Sequence, residues 1–233
     1  DTYYKIKKDN ECVLLNSKLE NVLGKTYKYI SNVIMPDGTI SIIDDEGGNV
    51  ISVDNPEQKL CKRSSKGYMS IIVNNKETGK KCFAVQRSDE LYDLVDDNGD
   101  IRINEGFRNF RSYVNEYIIG QKNNKYVIIY TDNFEVSDWY DRIEGGYYIS
   151  RTSPYITVYK ENKVGLVNCY EHRELPYWFD NIITLAYGWH IVVENGLYNL
   201  LTNNEDIYFD EWVKEIKQTR DYGSDLYITD NNG

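Results

Sequence analysis

Four short apolar cores, Leu94-Val95, Ile128-Ile129, Leu166-Val167 and Leu200-Leu201, recur with their first members 34, 38 and 34 residues apart. Such a period is too long for one hairpin and suits a unit of several strands that buries its apolar face against its neighbours. After each core comes a polar turn and then an apolar or aromatic cluster: Phe107 and Phe110, Trp139 and Ile143, Phe179 and Ile183, Trp212 and Ile216. The recurring order predicts an all-β chain of tandem antiparallel hairpins or three-stranded units of about 35 residues. Either an extended array or a propeller-like closure would satisfy that order.

Local signals agree. Thr39 to Val53 reads as two β-rich arms around Asp44, Asp45, Glu46, Gly47 and Gly48, and Leu94 to Ile103 repeats the theme around Asn98-Gly99. Asn-Gly supplies the positive φ that a tight hairpin turn requires, so Gly99 is assigned a structural role. Tyr126 to Tyr130, Ile156 to Tyr159, Val164 to Asn168 and Ile191 to Val193 read as further strands. Asp210 to Arg220 instead approximates an amphipathic helix, with Trp212, Val213 and Ile216 on one side; its place in the repeat predicts a short turn or helix inserted in a β unit. From the N terminus to residue 90 the register is weaker, through Tyr3-Tyr4-Lys5-Ile6, Cys12-Val13-Leu14-Leu15, Lys28-Tyr29-Ile30 and Met69 to Val73. Two regions are therefore expected: residues 1–90, β-rich and either degenerate repeats or a separate β domain, and residues 91–233, clearly repetitive. Leu226 to Thr229 leads into a turn-like end, and another strand is expected beyond it.

Composition narrows the function classes. The net charge is -10 and is spread along the chain, a surface that repels nucleic acid and anionic lipid. Its one basic cluster, Lys59, Lys62, Arg63 and Lys66, sits beside turn-forming Ser64, Ser65 and Gly67 and reads as a solvated loop. No apolar stretch approaches the roughly 20 residues of a membrane span, and no signal-peptide pattern opens the sequence, so no membrane insertion is expected. Cys12, Cys61, Cys82 and Cys169 have no close pairing and read as buried free thiols in a reducing compartment. An intracellular or virion-associated setting follows as the expectation, with the cytoplasm favoured.

The chemistry-bearing residues are sparse. His172 and His190 are the only imidazoles; the first belongs to a polar loop and the second enters an apolar strand, where a packed histidine is expected. Cys169 and His172 are near in sequence but lack the three or four ligands of a zinc site and the third group of a nucleophilic triad. The turn Asp96-Asp97-Asn98-Gly99-Asp100 fails the calcium-loop phasing. No phosphate loop, dinucleotide fingerprint or zinc-protease motif occurs. No catalytic residue, metal site or cofactor is assigned.

Residues 161–201 resemble the tryptophan-glycine repeat family. Gly165, Leu166 and Val167 match the opening of such a repeat, Pro176, Phe179, Asp180 and Ile182 its middle, and Ala186, Gly188, Val192, Asn195 and Gly196 the passage to the next unit. Tyr140-Asp141-Arg142-Ile143 and Tyr208-Phe209-Asp210 are partial matches. Val164-Gly165 replaces the family's Trp-Gly, and Gly188-Trp189 is that dipeptide reversed. The resemblance implies β-rich repeats without one universal activity.

With 22 Tyr in the chain, aromatics carry the remaining expectations. Trp139, Phe179 and Trp212, with Gly165, Pro176 and Asp180, are assigned structural roles in the repeat. Tyr147, Tyr148, Tyr155, Tyr187 and Trp189 lie beside Gly145-Gly146 or Gly188, where turns can aim rings outward, and are assigned to a protein-binding surface. The function expected is a non-catalytic protein-interaction or scaffold module. Two others are a structural component of a virion or other large assembly, and a carboxylate-dependent glycan-active enzyme using Asp210 and Glu211 beside Trp212.

Overall fold

A computed structural model of the chain describes residues 2–32, 34–35, 37–74, 79–113, 117–144, 154–185, 188–218 and 226–230. They contain 21 β-strands, numbered in chain order, and no α-helix. The chain divides into two compact units: one of residues 1–123 and 131–134, the other of residues 124–130 and 135–233.

In each repeat one strand carries a consecutive apolar pair, four of these pairs being the ones identified in the sequence. These strands are β2 (Glu11–Leu15), β5 (Gly47–Ser52), β8 (Tyr92–Asp96), β12 (Lys125–Tyr130), β15 (Lys163–Asn168) and β19 (Leu197–Leu201). Five of them are paired within their own unit to a preceding antiparallel strand: β1 (Tyr4–Lys8), β4 (Thr39–Asp44), β7 (Lys81–Gln86), β14 (Tyr155–Lys160) and β18 (His190–Glu194). An outer strand precedes those hairpins in β3 (Tyr29–Ile30), β6 (Met69–Asn74), β13 (Arg142–Glu144) and β17 (Asn181–Thr184). Strands β10 (Asn109–Tyr113) and β11 (Tyr117–Lys122) pair in the first unit; β20 (Glu215–Gln218) and β21 (Leu226–Thr229) pair in the second. The 210–220 segment is thus partly a strand: β20 replaces the helix that its amphipathic pattern suggested, because Ile216 is buried opposite Ile228 in a hairpin.

The segment after each central strand is equally regular. The chain loops out and returns antiparallel, so that the second residue of the strand, or in β8 the first, pairs with Tyr27, Ser65, Phe107, Tyr140, Phe179 or Val213. The paired strand residues are Cys12, Gly48, Tyr92, Tyr126, Val164 and Tyr198. Two positions further on come Leu14, Val50, Leu94, Ile128, Leu166 and Leu200, each no more than 4% exposed. The four-core period therefore extends backwards through Leu14 and Val50, placing two more repeats in the N-terminal region.

The cores explain why the apolar residues come in consecutive pairs. Leu14 packs in one cluster with Ile51, Val50 with Val95, and Leu166 with Leu201. Each is the first apolar residue of one repeat against the second of the next. Successive side chains of a strand point to opposite faces, so both faces of β5, β8, β12, β15 and β19 are buried at the apolar pair, whereas β2 buries Leu14 on one face and half-buries Leu15 on the other.

Tyr140, 1% exposed, and Val213, each one residue after a tryptophan, occupy the paired positions of their return segments. Both tryptophans are half-buried; Trp212 lies on Phe179 with ring centroids 6.2 Å apart. Phe179 is buried and paired with Val164 as expected. Pro176 is exposed, one residue past buried Leu175. Gly165 faces the return segment, where an added Cβ would lie 3.1 Å from the Trp178 ring.

Asp180 joins consecutive repeats. One of its oxygens accepts from Lys163 Nζ at 2.8 Å, the other from the Asn195 backbone N–H at 2.6 Å in the next hairpin turn. Asp141 does the same for Lys125 and the Glu161 N–H. Asn195-Gly196 and Glu161-Asn162 all have positive φ, the two-residue turn that matches strand twist. Gly99, at φ +83°, could not carry a Cβ without meeting Arg63 at 2.8 Å, and the acidic turn around it is held internally by Asp96, which accepts from the Asp100 N–H and Arg102.

At Gly48 an added Cβ would approach the Gly67 carbonyl oxygen to 1.9 Å, whereas at Gly196 it would meet open space. Gly48→Ala is expected to destabilise the chain by about 2–3 kcal/mol through forced separation of two backbones. Gly196→Ala should cost about 1 kcal/mol through its left-handed conformation alone. Chemical denaturation of the two variants checks the order.

Candidate interaction surface

The last complete repeat builds a rigid aromatic surface. Asn199, fully buried, follows the paired residue Tyr198 on β19. Its Oδ1 accepts from the Leu200 N–H at 2.8 Å and the Phe209 N–H at 3.0 Å, while its Nδ2 donates to the Phe209 carbonyl at 3.0 Å. The Tyr208 N–H donates to the Leu200 carbonyl at 2.9 Å. Both backbone groups of Phe209 are thereby fixed to β19, although this segment is not itself a strand. Asn49 holds the same position in the second repeat and likewise accepts from the next N–H.

Exposure alternates along the held segment: Asp206, Tyr208 and Asp210 are exposed, Ile207 and Phe209 half-buried. Tyr208 is 58% exposed. Its ring meets Trp189 edge-on at 5.7 Å and Phe209 at 4.9 Å. Trp189 and Phe209 also pack on the cluster of Ile191, Leu200, Val213 and Ile216, so the outer ring stands on a core-anchored base.

Comparison among the repeats isolates Tyr208. The N–H that reaches the carbonyl of the first apolar residue belongs to Val22, Leu60, Ser137, Leu175 and Tyr208 in five of them. Leu175 is buried and Val22, Leu60 and Ser137 half-buried; Tyr208 alone among these is exposed.

The other expected contact residues divide. Trp189 belongs to the surface just described. Tyr155 is drawn into packing: its hydroxyl donates to Glu205 Oε1 at 2.8 Å and its ring lies edge-on to His190 at 5.5 Å. Burial raises its pKa first, and the Glu205 carboxylate raises it further. Burial pushes the Glu205 carboxyl up, but bonds from Arg173, Tyr155 and Asn168 outweigh it and hold the pKa below its usual value. Tyr147, Tyr148 and Tyr187 lie outside the described residues. Tyr208, Phe209 and Asn199 were missed as a site; the sequence presented them only as a partial repeat match, and the outlying tyrosine emerges once the return segments are aligned by hydrogen bonding.

No chemistry-bearing side chains converge here. Asp210 and Glu211 are exposed, whereas Cys169 is buried at 3% exposure. All four cysteines are buried free thiols. Among the described residues no group of three His, Cys, Asp or Glu is placed to hold a metal, and no helix is long and apolar enough to cross a membrane. His172 stacks on Tyr130 at 3.9 Å, beside a cavity of about 390 Å³ that Glu135, Asp138 and Glu174 also line. Those carboxylates are engaged: Asp138 accepts from Lys160, Glu174 from Tyr140 and Trp178, and Glu135 lies 3.8 Å from His172. His190 is 1% exposed, with Nδ1 3.3 Å from Thr184 Oγ1, and burial lowers its pKa from 6.5 to about 4.

Fold and surface together define an all-β tandem-repeat protein. No protein-family model matches the chain, and no curated protein matches it. Among solved structures it is similar to Kluyveromyces lactis Hsv2, at 9% identity and TM-score 0.44 over 85% of this chain and 76% of that one. It is also similar to the WD40 domain of SCAP from fission yeast (10%, TM-score 0.38, 95% of this chain and 70% of that). A third is the Neurospora crassa Pan2 WD40 domain (10%, TM-score 0.37, 99% and 82%). Overlaps this loose bear on neither activity nor partner.

Two measurements probe the scaffold under the surface. Asn199→Ala leaves both backbone groups of Phe209 without their clamp and should cost about 2–3 kcal/mol, with faster amide exchange at Phe209. Between pH 6.5 and about 4 the unfolded state holds the proton that folded His190 refuses. His190 thus leaves stability untouched above pH 6.5 and lowers it as the pH falls, by about 1.4 kcal/mol per unit. His190→Leu should remove about 2–3 kcal/mol of the stability difference between neutral pH and the lower end of that window, read from denaturation at both pH values.

Proposed function

We propose that this chain is a non-catalytic protein-interaction module built on repeats of the tryptophan-glycine type, and that the Trp189, Tyr208 and Phe209 surface is its contact face. The observation that carries the reading is Tyr208, an exposed ring on a fixed backbone, where Val22, Leu60 and Leu175 in other repeats turn to the core. Aromatic rings held in place lose little entropy on binding and are favoured at interface centres. The repeat resemblance adds support from the Tyr140-Asp141 and Phe179-Asp180 pairs, whose aspartates tie successive hairpins.

Tyr208→Ala tests it, since so exposed a ring can be removed with little effect on folding. Quantitative cross-linking of the native protein should show the contacts to its main partner reduced about fivefold or more, as an interface hot spot predicts, with thermal melting unchanged. Undiminished cross-linking by a normally melting variant overturns this assignment.

A further inference from the structure

Resting on that reading, we infer that the partner presents an arginine-bearing extended segment, whose guanidinium lies over Tyr208 and pairs with the flanking carboxylates. The chain shows the arrangement once with its own residues. Arg142 on β13 lies 3.7 Å from the Tyr159 ring centroid while its Nε is 3.2 Å from Glu144 Oε1. Tyr159 in turn donates its hydroxyl to Glu144 Oε2 at 2.6 Å. A half-buried tyrosine beside an exposed carboxylate is there completed by a guanidinium, which stacks on a ring and bonds a carboxylate at once.

Tyr208 has the same two partners without the cation. Asp206 and Asp210 lie two residues to either side and are exposed with it, Asp206 about 7 Å away along the chain and Asp210 at a bend. Among the described residues no Lys or Arg pairs with Asp206, Asp210 or Glu211, and none lies over the Tyr208 ring, whereas Glu205, one residue before Asp206, is bound by Arg173. Trp189 at the edge of Tyr208 supplies a second ring for the aliphatic stem of the incoming side chain. The net charge of -10 draws a cationic segment towards the chain, and the ring selects where it settles.

The test uses the full chain and fluorescent peptides of about ten residues alternating glycine with arginine, citrulline, lysine or glutamate, in ~0.15 M salt. Anisotropy should show the arginine peptide binding, the lysine peptide weaker, and the citrulline and glutamate peptides weaker by about tenfold or more. Tyr208→Ala should lower affinity for the arginine peptide about threefold or more, and D206N/D210N should do likewise, both with unchanged melting. Equal binding of citrulline and arginine peptides overturns the cationic partner; if that binding still depends on Tyr208, the contact face stands. Arginine binding indifferent to Tyr208→Ala overturns the placement, and absence of binding overturns the inference. If partner cross-linking is also unaffected by Tyr208→Ala, the contact face falls with it.

Discussion

From the second repeat onward the architecture depends on a strand whose two faces are both buried. Leu14, Val50 and Leu166 share clusters with the second apolar residue of the following repeat, Ile51, Val95 and Leu201. A single repeat therefore cannot bury its own pair. Each large apolar side chain removed from water contributes about 1.5–3 kcal/mol, and at these three junctions a neighbouring repeat supplies part of that burial. The connection is reinforced where Asp141 and Asp180 accept from the next hairpin turn, so the bond that orients the neighbour also satisfies a turn N–H that would otherwise face solvent.

Backbone bonding in the return segments separates scaffold from variable surface. The second strand residue exchanges both of its hydrogen bonds with the return, and in five repeats the carbonyl two residues later receives one more. The intervening residue lies under the loop and takes whatever fills the gap: Asn49 and Asn199 bond to it, while Gly165 makes room for Trp178. Since main-chain groups carry these bonds, side chains in the return can change without loosening it. Tyr208 is such a change.

Much of this was legible in the sequence, for identifiable reasons. The pairs at Leu94, Ile128, Leu166 and Leu200 announced themselves because two-faced burial leaves consecutive apolar residues, and Asn98-Gly99 marked a turn whose glycine needs positive φ. The N-terminal repeats were harder to see: Gly48 and Tyr92, equivalent in register, are separated by 44 positions against the 34 or 38 later on. The Glu161-Asn162 turn carries no glycine, yet both residues adopt positive φ. Bulk and register part company at Trp139 and Trp212: backbone pairing selects Tyr140 and Val213, and the larger rings are half-buried beside them. The amphipathic look of 210–220 has the same origin, because Trp212 serves the cluster of Leu166 and Phe179 while Val213 and Ile216 serve the next.

The contact face was legible only in part, and the physical reason concerns exposure. Trp189 signalled itself by lying beside Gly188, but burial of its neighbours, not its own sequence, decides how much of the ring is free. Tyr208 sits in an alternating Asp-Ile-Tyr-Phe-Asp stretch that any half-buried strand could show. Its difference is relational: the same backbone bond places Leu175 inside and Tyr208 outside. A tyrosine so placed covers little core, and a polar residue there would leave the same hydrogen bonds intact. Fold stability therefore gives little account of the ring, and the proposed recognition role gives one: it is wet on one side, edged by Trp189 and flanked by two carboxylates that no cation among the described residues engages.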